Sequence, residues 1–218
     1  MKSIILLLIA SLCFSTLVQS ESVPPNAIQD LKWRLLGPLR AGWSMVAEGI
    51  PDEPNTYYFG AADGGVWKTT DAGLTWQALA DQAPFSSVQA IAISKSNPRT
   101  IYVGTGQVAM RYDVMDGTGV YKTTDDGKTW TSLGLTDSRH IGRMLLDPRN
   151  DNVIVVAVLG HLFGPNQERG IFRSEDGGAN WKKVLFVDEN TGAVDLASDP
   201  AAPDVIYAST WQVRQYPF

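Results

Sequence analysis

The sequence predicts an all-β protein, a β-propeller of four-stranded antiparallel blades. One turn motif occurs three times, at residues 69–76, 123–130 and 174–181. The copies are nearly evenly spaced, and no segment after residue 20 has the periodicity of an amphipathic helix. Repeats of roughly fifty residues that contain four short strands each are typical of propeller blades.

The repeated motif is Ser/Thr-x-Asp-x-Gly-x-Thr-Trp, with Asn180 in place of the Thr in the third copy. We expect the Asp to accept hydrogen bonds from the turn amides and the Gly to adopt backbone angles that other residues resist. The Trp is expected to pack between neighbouring sheets. Because the three aspartates lie in separate, equivalent turns, we interpret them as structural rather than catalytic or calcium-binding. The predicted structural residues are Asp71, Gly73, Trp76, Asp125, Gly127, Trp130, Asp176, Gly178 and Trp181.

Strand candidates around these turns define the blades. Each unit contains a strand, a Pro- or Asn-bearing turn, a strand, a loop, a strand, the Asp turn and a last strand. The predicted blades are residues 44–79, 87–134 and 140–186, followed by the first half of a fourth blade at 193–218. Residues 33–37 resemble the outer strand that follows an Asp turn, and we assign them to a closing blade. Residues 21–218 are therefore expected to form about three and a half blades of a longer propeller, whose remaining blades belong to the same full-length chain.

The first twenty residues have the features of a signal peptide. Lys2 precedes an apolar run, and Val18, Gln19 and Ser20 form a plausible cleavage site. Cleavage after Ser20 predicts export to the periplasm, the cell surface or the medium, with no membrane insertion of the mature chain. It also removes Cys13, the single cysteine, so the mature chain is expected to lack disulfides.

The numbers of charged residues and of possible metal ligands limit which partners the chain could bind. The chain has 18 Lys and Arg against 23 Asp and Glu, a formal net charge of −5. An acidic chain with scattered basic residues is a poor candidate for binding nucleic acid. With two histidines and one cysteine in the whole chain, we predict no metal site and no cofactor.

Two segments carry a resemblance to a known family. Residues 64–71 read Gly-Gly-Val-Trp-Lys-Thr-Thr-Asp, and residues 160–170 form a Gly-His-Leu-Phe-Gly-Pro segment that continues to Gly170. The sequence resembles the Asp-box, or bacterial neuraminidase repeat, propellers. Within them it is most similar to secreted bacterial proteins related to the sortilin N-terminal propeller, which are often labelled glycosyl hydrolases. The resemblance covers essentially the whole mature chain and implies the fold, whereas one fold can host many activities.

The ligand-binding face is expected at the loops that join second to third strands and each blade to the next. Two such loops, 107–118 and 161–169, are long and polar, as binding loops often are. We expect residues of this face to converge near the central channel, on the side opposite the Asp turns. Salt bridges between blades and core packing remain alternative roles for the arginines and the tryptophan. The predicted ligand-binding residues are Arg111, Arg139, His140, His161, Arg169 and Trp211.

Three hypotheses for function remain open. The favoured one is a module that binds a peptide, a protein or a glycan, and a purely structural module is another. The third is a glycoside hydrolase, which needs two carboxylates about 5–9.5 Å apart; the candidates are Asp63, Asp113, Asp116 and Glu168. Resemblance to xyloglucan-active propeller hydrolases points to Asp63, although the spacing of its Gly-Gly loop is one residue short. A sialidase would use an arginine cluster with a tyrosine nucleophile, for which Arg40, Arg111, Arg139 and Tyr112 form no clear pattern.

Overall fold

The computed structural model describes Pro24, residues 42–111 and residues 113–216. The predicted signal peptide, the predicted strand at 33–37, Arg40 and Tyr112 lie outside these residues. The described part of the chain forms four antiparallel sheets. The strands are β1 (Trp43–Ile50), β2 (Glu53–Ala62), β3 (Gly65–Thr69), β4 (Gln77–Ala78), β5 (Val88–Ile93), β6 (Ile101–Thr105), β7 (Val120–Thr123), β8 (Thr131–Ser132), β9 (Ile141–Asp147), β10 (Asn150–Val158), β11 (Gly170–Ser174), β12 (Lys182–Leu185), β13 (Thr191–Asp199) and β14 (Ala202–Gln212).

Each of the first three sheets contains four consecutive strands paired in chain order, β1 to β4, β5 to β8 and β9 to β12. The fourth sheet pairs β13 with β14. The first strands of successive sheets are neighbours: β5 contacts β1 and β9, and β9 also contacts β13. This is the arrangement of propeller blades around a central axis, so the prediction of an all-β propeller is confirmed.

The hydrophobic core lies between successive blades rather than inside one sheet. Tyr58 and Val66 of the first blade pack with Val88 and Ile101 of the second. Two further clusters repeat this between the second and third blades and between the third blade and β13. Neighbouring blades can approach closely only where a strand carries a small residue. A β-carbon at Gly104, on β6, would lie 2.4 Å from Cγ2 of Ile141, on β9. Each blade is therefore stabilised mainly by its neighbours, as in other repeat proteins.

The Asp turns have the same hydrogen bonds in all three blades. Asp125 accepts the Thr129 N–H at 2.9 Å, the Thr129 hydroxyl at 2.7 Å and the Thr123 hydroxyl at 2.7 Å. Asp71 and Asp176 accept equivalent bonds in their own turns, where Asn180 replaces the Thr hydroxyl. Bonds from the Thr75 and Asn180 side chains, together with the turn amides, lower the pKa of Asp71 and of Asp176 to about 2. The three carboxylates are thus occupied within separate turns.

Helical structure is scarce in the part of the chain that the structure describes. A single 3-10 turn, Thr136–Ser138, connects β8 to β9. None of the described segments forms a helix with the length and hydrophobicity needed to cross a bilayer.

Candidate functional site

The Asp turns and the long loops lie at opposite ends of the blades. The amides of Ala72, Asp126 and Gly177, inside the three Asp turns, donate to the carbonyls of Asn55, Arg99 and Asn152 at the first-to-second strand turns. At the other end of the strands, the Gly106 N–H donates to Ser87 and the Leu159 N–H donates to His140. The second-to-third strand loops therefore meet the connections between blades, and we call this end of the molecule the loop face.

Arg169 organises the β10–β11 loop of the third blade from inside. Its guanidinium donates to the carbonyls of Leu159 at 2.8 Å, Asn190 at 3.1 Å and Gly164 at 3.2 Å, and to that of His161. The side chain is buried, and burial lowers its pKa. These contacts engage the donors of Arg169 with backbone carbonyls of its own surroundings, and its ligand-binding role remains a prediction.

Asp137 ties the same loop to the connection between the second and third blades. One carboxylate oxygen lies 2.9 Å from Nε2 of His161, and the other accepts a hydrogen bond from the Asn166 amide at 3.2 Å. The Asn166 amide also donates to the Asp137 carbonyl. Asp137 lies between the predicted blades at 87–134 and 140–186, but it is not among the predicted site residues. The feature of the sequence that could have identified Asp137 is its position, two residues before Arg139 and three before His140, both of which are predicted site residues.

Asp116 makes the corresponding link from the β6–β7 loop of the second blade. Its carboxylate lies 2.7 Å from Nη1 of Arg139, and the Gly117 N–H donates to the Arg139 carbonyl at 2.7 Å. Arg139 itself has a positive φ of 59° with a ψ of −47°. A positive φ is uncommon outside glycine and is concentrated in turns and functional loops. The Asp116–Arg139 pair is exposed and therefore accessible to a ligand.

His140 lies beneath this pair and is completely buried. Its Nδ1 accepts the Gln107 N–H at 3.3 Å, so the neutral ring carries its proton on Nε2. Nε2 lies 3.2 Å from Asp116, but the geometry is unsuitable for a hydrogen bond and the contact is electrostatic. Burial lowers the pKa of His140 to about 4 against the opposing effect of Asp116. His140 is thus a buried ring that supports the β6–β7 loop, and its ligand-binding role remains a prediction.

The structure brings three of the predicted residues together at one open cleft. The cleft has a volume of about 330 Å³ and lies between the β6–β7 and β10–β11 loops. Phe163, which sequence analysis did not select, is 53% exposed beside it. The lining residues are Asp116, Arg139, His161, Leu162, Phe163 and Gly164.

Other predicted residues lie on the loop face but outside this cleft. Arg111 stacks on the ring of Trp43 at 3.7 Å and pairs with Asp113 at 3.1 Å. Asp63 is exposed in the β2–β3 turn, with φ of 57°. Trp211 is exposed near the end of β14, opposite Gly192.

Glu168 lies close to Asp137, in the interior of the β10–β11 loop. Burial raises the pKa of Glu168, and the Asp137 carboxylate raises it further, while Lys183 and His161 act in the opposite direction. One carboxylate oxygen is buried without a hydrogen-bond partner. Within the ranges that the structure describes, no three His, Cys, Asp or Glu side chains cluster in a way that could hold a metal ion.

Comparison with known proteins identifies relatives of two kinds. The family model Sortilin-Vps10, described as sortilin, neurotensin receptor 3, matches residues 64–215. A xyloglucanase of Paenibacillus sp is 31% identical over 150 residues, which cover 62% of this chain and 14% of that protein. A probable oligoxyloglucan-reducing end-specific xyloglucanase of Neosartorya fischeri is 27% identical over 169 residues, 72% of this chain and 19% of that protein. The chain thus spans less than a fifth of the length of these relatives. The family match confirms the resemblance stated from the sequence.

Solved structures agree on the fold. An ancestral GH74 enzyme aligns with a TM-score of 0.61 at 23% identity, covering 81% of this chain and 23% of that one. The GH74 enzyme of Niastella koreensis aligns with a TM-score of 0.60 at 17% identity, covering 78% of this chain and 26% of that one. At these identities the structural likeness concerns the propeller fold alone.

Proposed function

Because the chain belongs to the Sortilin-Vps10 family, we propose that it is an exported propeller segment that binds a glycan on its loop face. The observation that carries this proposal is the exposed ring of Phe163 beside Asp116, Arg139 and His161. An aromatic face contacts the apolar face of a sugar ring, and the surrounding charged and polar groups hydrogen-bond its hydroxyls. The likeness to xyloglucanases supports a glycan over the peptide or protein ligand that the sequence left open.

The openness of the cleft supports a polymer rather than a small molecule. The carboxylate of Asp116 is 51% exposed and the Arg139 side chain 43% exposed, so neither is enclosed. An enclosed pocket would bury most of a small ligand. A polysaccharide can instead lie across the loops and contact successive side chains. We therefore expect a β-linked glucan with side branches, of the xyloglucan class, as the ligand.

The test is titration of the full chain with a xyloglucan oligosaccharide in a calorimeter. Phe163→Ala should weaken binding by about tenfold or more, because aromatic anchors dominate the free energy of such contacts. Leu74→Ala is the matched control, since Leu74 is also exposed but lies in an Asp turn at the opposite end of the blade. Unchanged affinity in Phe163→Ala, or saturable binding of an acidic peptide in place of the oligosaccharide, would contradict the proposal.

A glycoside hydrolase is the second candidate. The observation that favours it is the raised pKa of Glu168 next to Asp137, because a general acid must keep its proton near neutral pH. Asp113 and Asp116 are less suited to that role, since both are paired with arginine. The test is release of reducing ends from xyloglucan. Glu168→Gln should abolish release if Glu168 is the general acid, and Asp63→Asn should abolish it if Asp63 is the second carboxylate, while oligosaccharide binding persists in both variants.

A further inference from the structure

A segment that follows β14 links two loops of other blades. Gln215 lies in this segment, three residues after Gln212, the last residue of β14. Its backbone N–H donates to the Leu162 carbonyl at 2.8 Å, and its side-chain Nε2 donates to the Arg111 carbonyl at 2.6 Å. Leu162 belongs to the β10–β11 loop of the third blade, and Arg111 belongs to the β6–β7 loop of the second. One residue thus holds both loops.

These two loops form the walls of the open cleft on the loop face. The β6–β7 loop supplies Asp116, and the β10–β11 loop supplies residues 161–164. In the part of the chain that the structure describes, Gln215 is the one residue with hydrogen bonds to both loops. The other links between the walls pass through the connection between the second and third blades, where Arg139 pairs with Asp116 and Asp137 bonds to the β10–β11 loop. Gln215 is therefore the direct bridge across the cleft walls.

The bridge depends on the amide nitrogen of Gln215. A backbone carbonyl such as that of Arg111 can only accept, so the side-chain atom next to it must be a donor. The other amide atom, Oε1, is buried and has no hydrogen-bond partner among the described residues. A carboxylate at position 215 has nearly the same shape but no donor, so it would place an oxygen against the Arg111 carbonyl and break this bond.

Arg111 is also held from the side of the first blade. Its guanidinium lies 3.7 Å from the centre of the Trp43 ring, and its Nε lies 3.1 Å from the Asp113 carboxylate. Because Trp43 begins β1, the contacts run from the first blade through Arg111 and Gln215 to the third blade. The β6–β7 loop cannot move away from the β10–β11 loop without breaking one of these contacts.

We propose that Gln215 is a positioning residue of the cleft, which fixes the separation of the two loops and thereby raises the affinity for a glycan. This inference rests on the proposed function, since it takes the cleft as the glycan-binding site. Phe163 lies on one wall and Asp116 on the other, so the separation of the walls decides whether one sugar ring contacts both. Walls that are already held in place lose less conformational freedom on binding, which strengthens the complex.

The first measurement needs no ligand. Spin labels are attached to Met115→Cys and Gly164→Cys, one on each loop, in a chain that also carries Cys13→Ser. Met115 is exposed, and a β-carbon at Gly164 meets no atom within 4 Å, so both positions accept a label. Electron paramagnetic resonance then gives the distribution of distances between the loops. Gln215→Glu should broaden this distribution, and an unchanged distribution would overturn the proposal.

Two further variants separate the lost hydrogen bond from the added charge. Gln215→Met has neither a donor nor a charge, and it should broaden the distribution as Gln215→Glu does. Gln212→Glu is the matched control, because it adds the same charge at an exposed residue of the same segment. It should leave the distances unchanged. Broadening in Gln215→Glu alone would show that charge, rather than the bond to Arg111, moves the loops, and would overturn the proposal.

The second measurement is titration with a xyloglucan oligosaccharide in a calorimeter. Gln215→Met should bind about tenfold more weakly than the wild type, and Gln212→Glu should bind like the wild type. Wild-type affinity in Gln215→Met would overturn the link between loop separation and affinity while leaving the proposed function intact. Absence of binding by the wild type would instead contradict the proposed function and the ligand named here, and the label distances would then decide the positioning role of Gln215 on their own.

Discussion

Asp126 of the second blade forms an ion pair with Lys68 of the first, at 2.6 Å. The same carboxylate accepts a hydrogen bond from Tyr58, so an Asp turn of one blade neutralises the cation of its neighbour. Burial lowers the pKa of Lys68, but the bonds to Asp126 and Tyr58 outweigh burial and leave it raised. The third blade has Gly177 where the second has Asp126, and the Lys122–Tyr102 pair that faces it receives no such carboxylate.

Gly177→Asp should therefore stabilise the contact between the second and third blades. Gly177 has φ of 73° and Asp126 has φ of 63°, so an Asp already adopts this backbone conformation in the chain. A β-carbon at Gly177 would lie 3.5 Å from the Lys122 ammonium. We expect a gain of about 0.5–1 kcal/mol in the free energy of unfolding, measured with urea.

Gly177→Asn is the control for this gain, because it has nearly the same shape without the charge. The Asn152 side chain, 3.2 Å from the new β-carbon, must move slightly in both variants. The difference between the two variants should shrink at high salt. Equal stability of the Asp and Asn variants at low salt would rule out an ion pair with Lys122.

Asp125→Asn should destabilise the second blade and leave glycan binding unchanged. The carboxylate accepts three hydrogen bonds within its turn, and its turn lies at the end opposite the loop face. We expect the melting temperature to fall by about 2–4 °C. Asp52→Asn, at an exposed turn residue, is the control and should melt like the wild type. Normal melting with lost binding would instead make Asp125 a ligand-binding residue.

The repeats explain why the fold could be predicted from the sequence. Each of the three Asp turns marks where the third strand of a blade ends and the fourth begins. The remaining strands are then located because strands and turns alternate along each repeat. The loop face follows by the same topology, because successive loops along an antiparallel sheet open at alternate ends. None of this depends on long-range side-chain packing.

The roles of individual loop residues could not be predicted in the same way. Arg169 is surrounded by polar residues in the sequence, and only the folded loop brings four carbonyls around its guanidinium. His140 is buried because the β6–β7 loop crosses it and donates the Gln107 N–H. Phe163 is a large apolar residue of a kind that is usually buried, yet the folded loop leaves it 53% exposed. These outcomes depend on how two loops pack together, which local patterns do not encode.

Exported protein should begin at Glu21. The apolar run after Lys2 and the Val18–Ser20 site motivate this expectation, since signal peptidases recognise small residues at such positions. N-terminal sequencing of material recovered outside the cytoplasm measures it. Retention of Met1, or a lipid attached to Cys13, would contradict it.

Arg169→Lys should unfold the β10–β11 loop and weaken glycan binding together. A lysine ammonium cannot span four carbonyls as the planar guanidinium does, so buried oxygens lose their donors. We expect a loss of about 3 kcal/mol or more in the free energy of unfolding. Arg139→Lys, at the exposed pair with Asp116, should cost at most about 1 kcal/mol. Equal losses in the two variants would contradict a scaffolding role for Arg169.

The stability of the chain should decrease between pH 6.5 and pH 4 because of His140. Burial lowers its pKa in the folded chain to about 4 from an ordinary value of 6.5. As the pH falls through this window, His140 binds a proton in the unfolded chain but stays neutral in the folded chain, so protonation favours unfolding. The contribution of His140 to stability is therefore complete above pH 6.5, declines below it and levels off below about pH 4.

The matched variant is His140→Gln, which can accept the Gln107 N–H but does not titrate. Urea unfolding of both proteins across this range measures the difference, so that other titrating groups such as Glu168, whose pKa is raised, cancel in the comparison. The His161 and Arg139 charges lower the pKa of His140 further, and Asp116 opposes them, so Asp116→Asn should steepen the decline. Parallel pH curves for the wild type and His140→Gln would show that His140 protonates equally in the folded and unfolded chains, and that its ring is open to water.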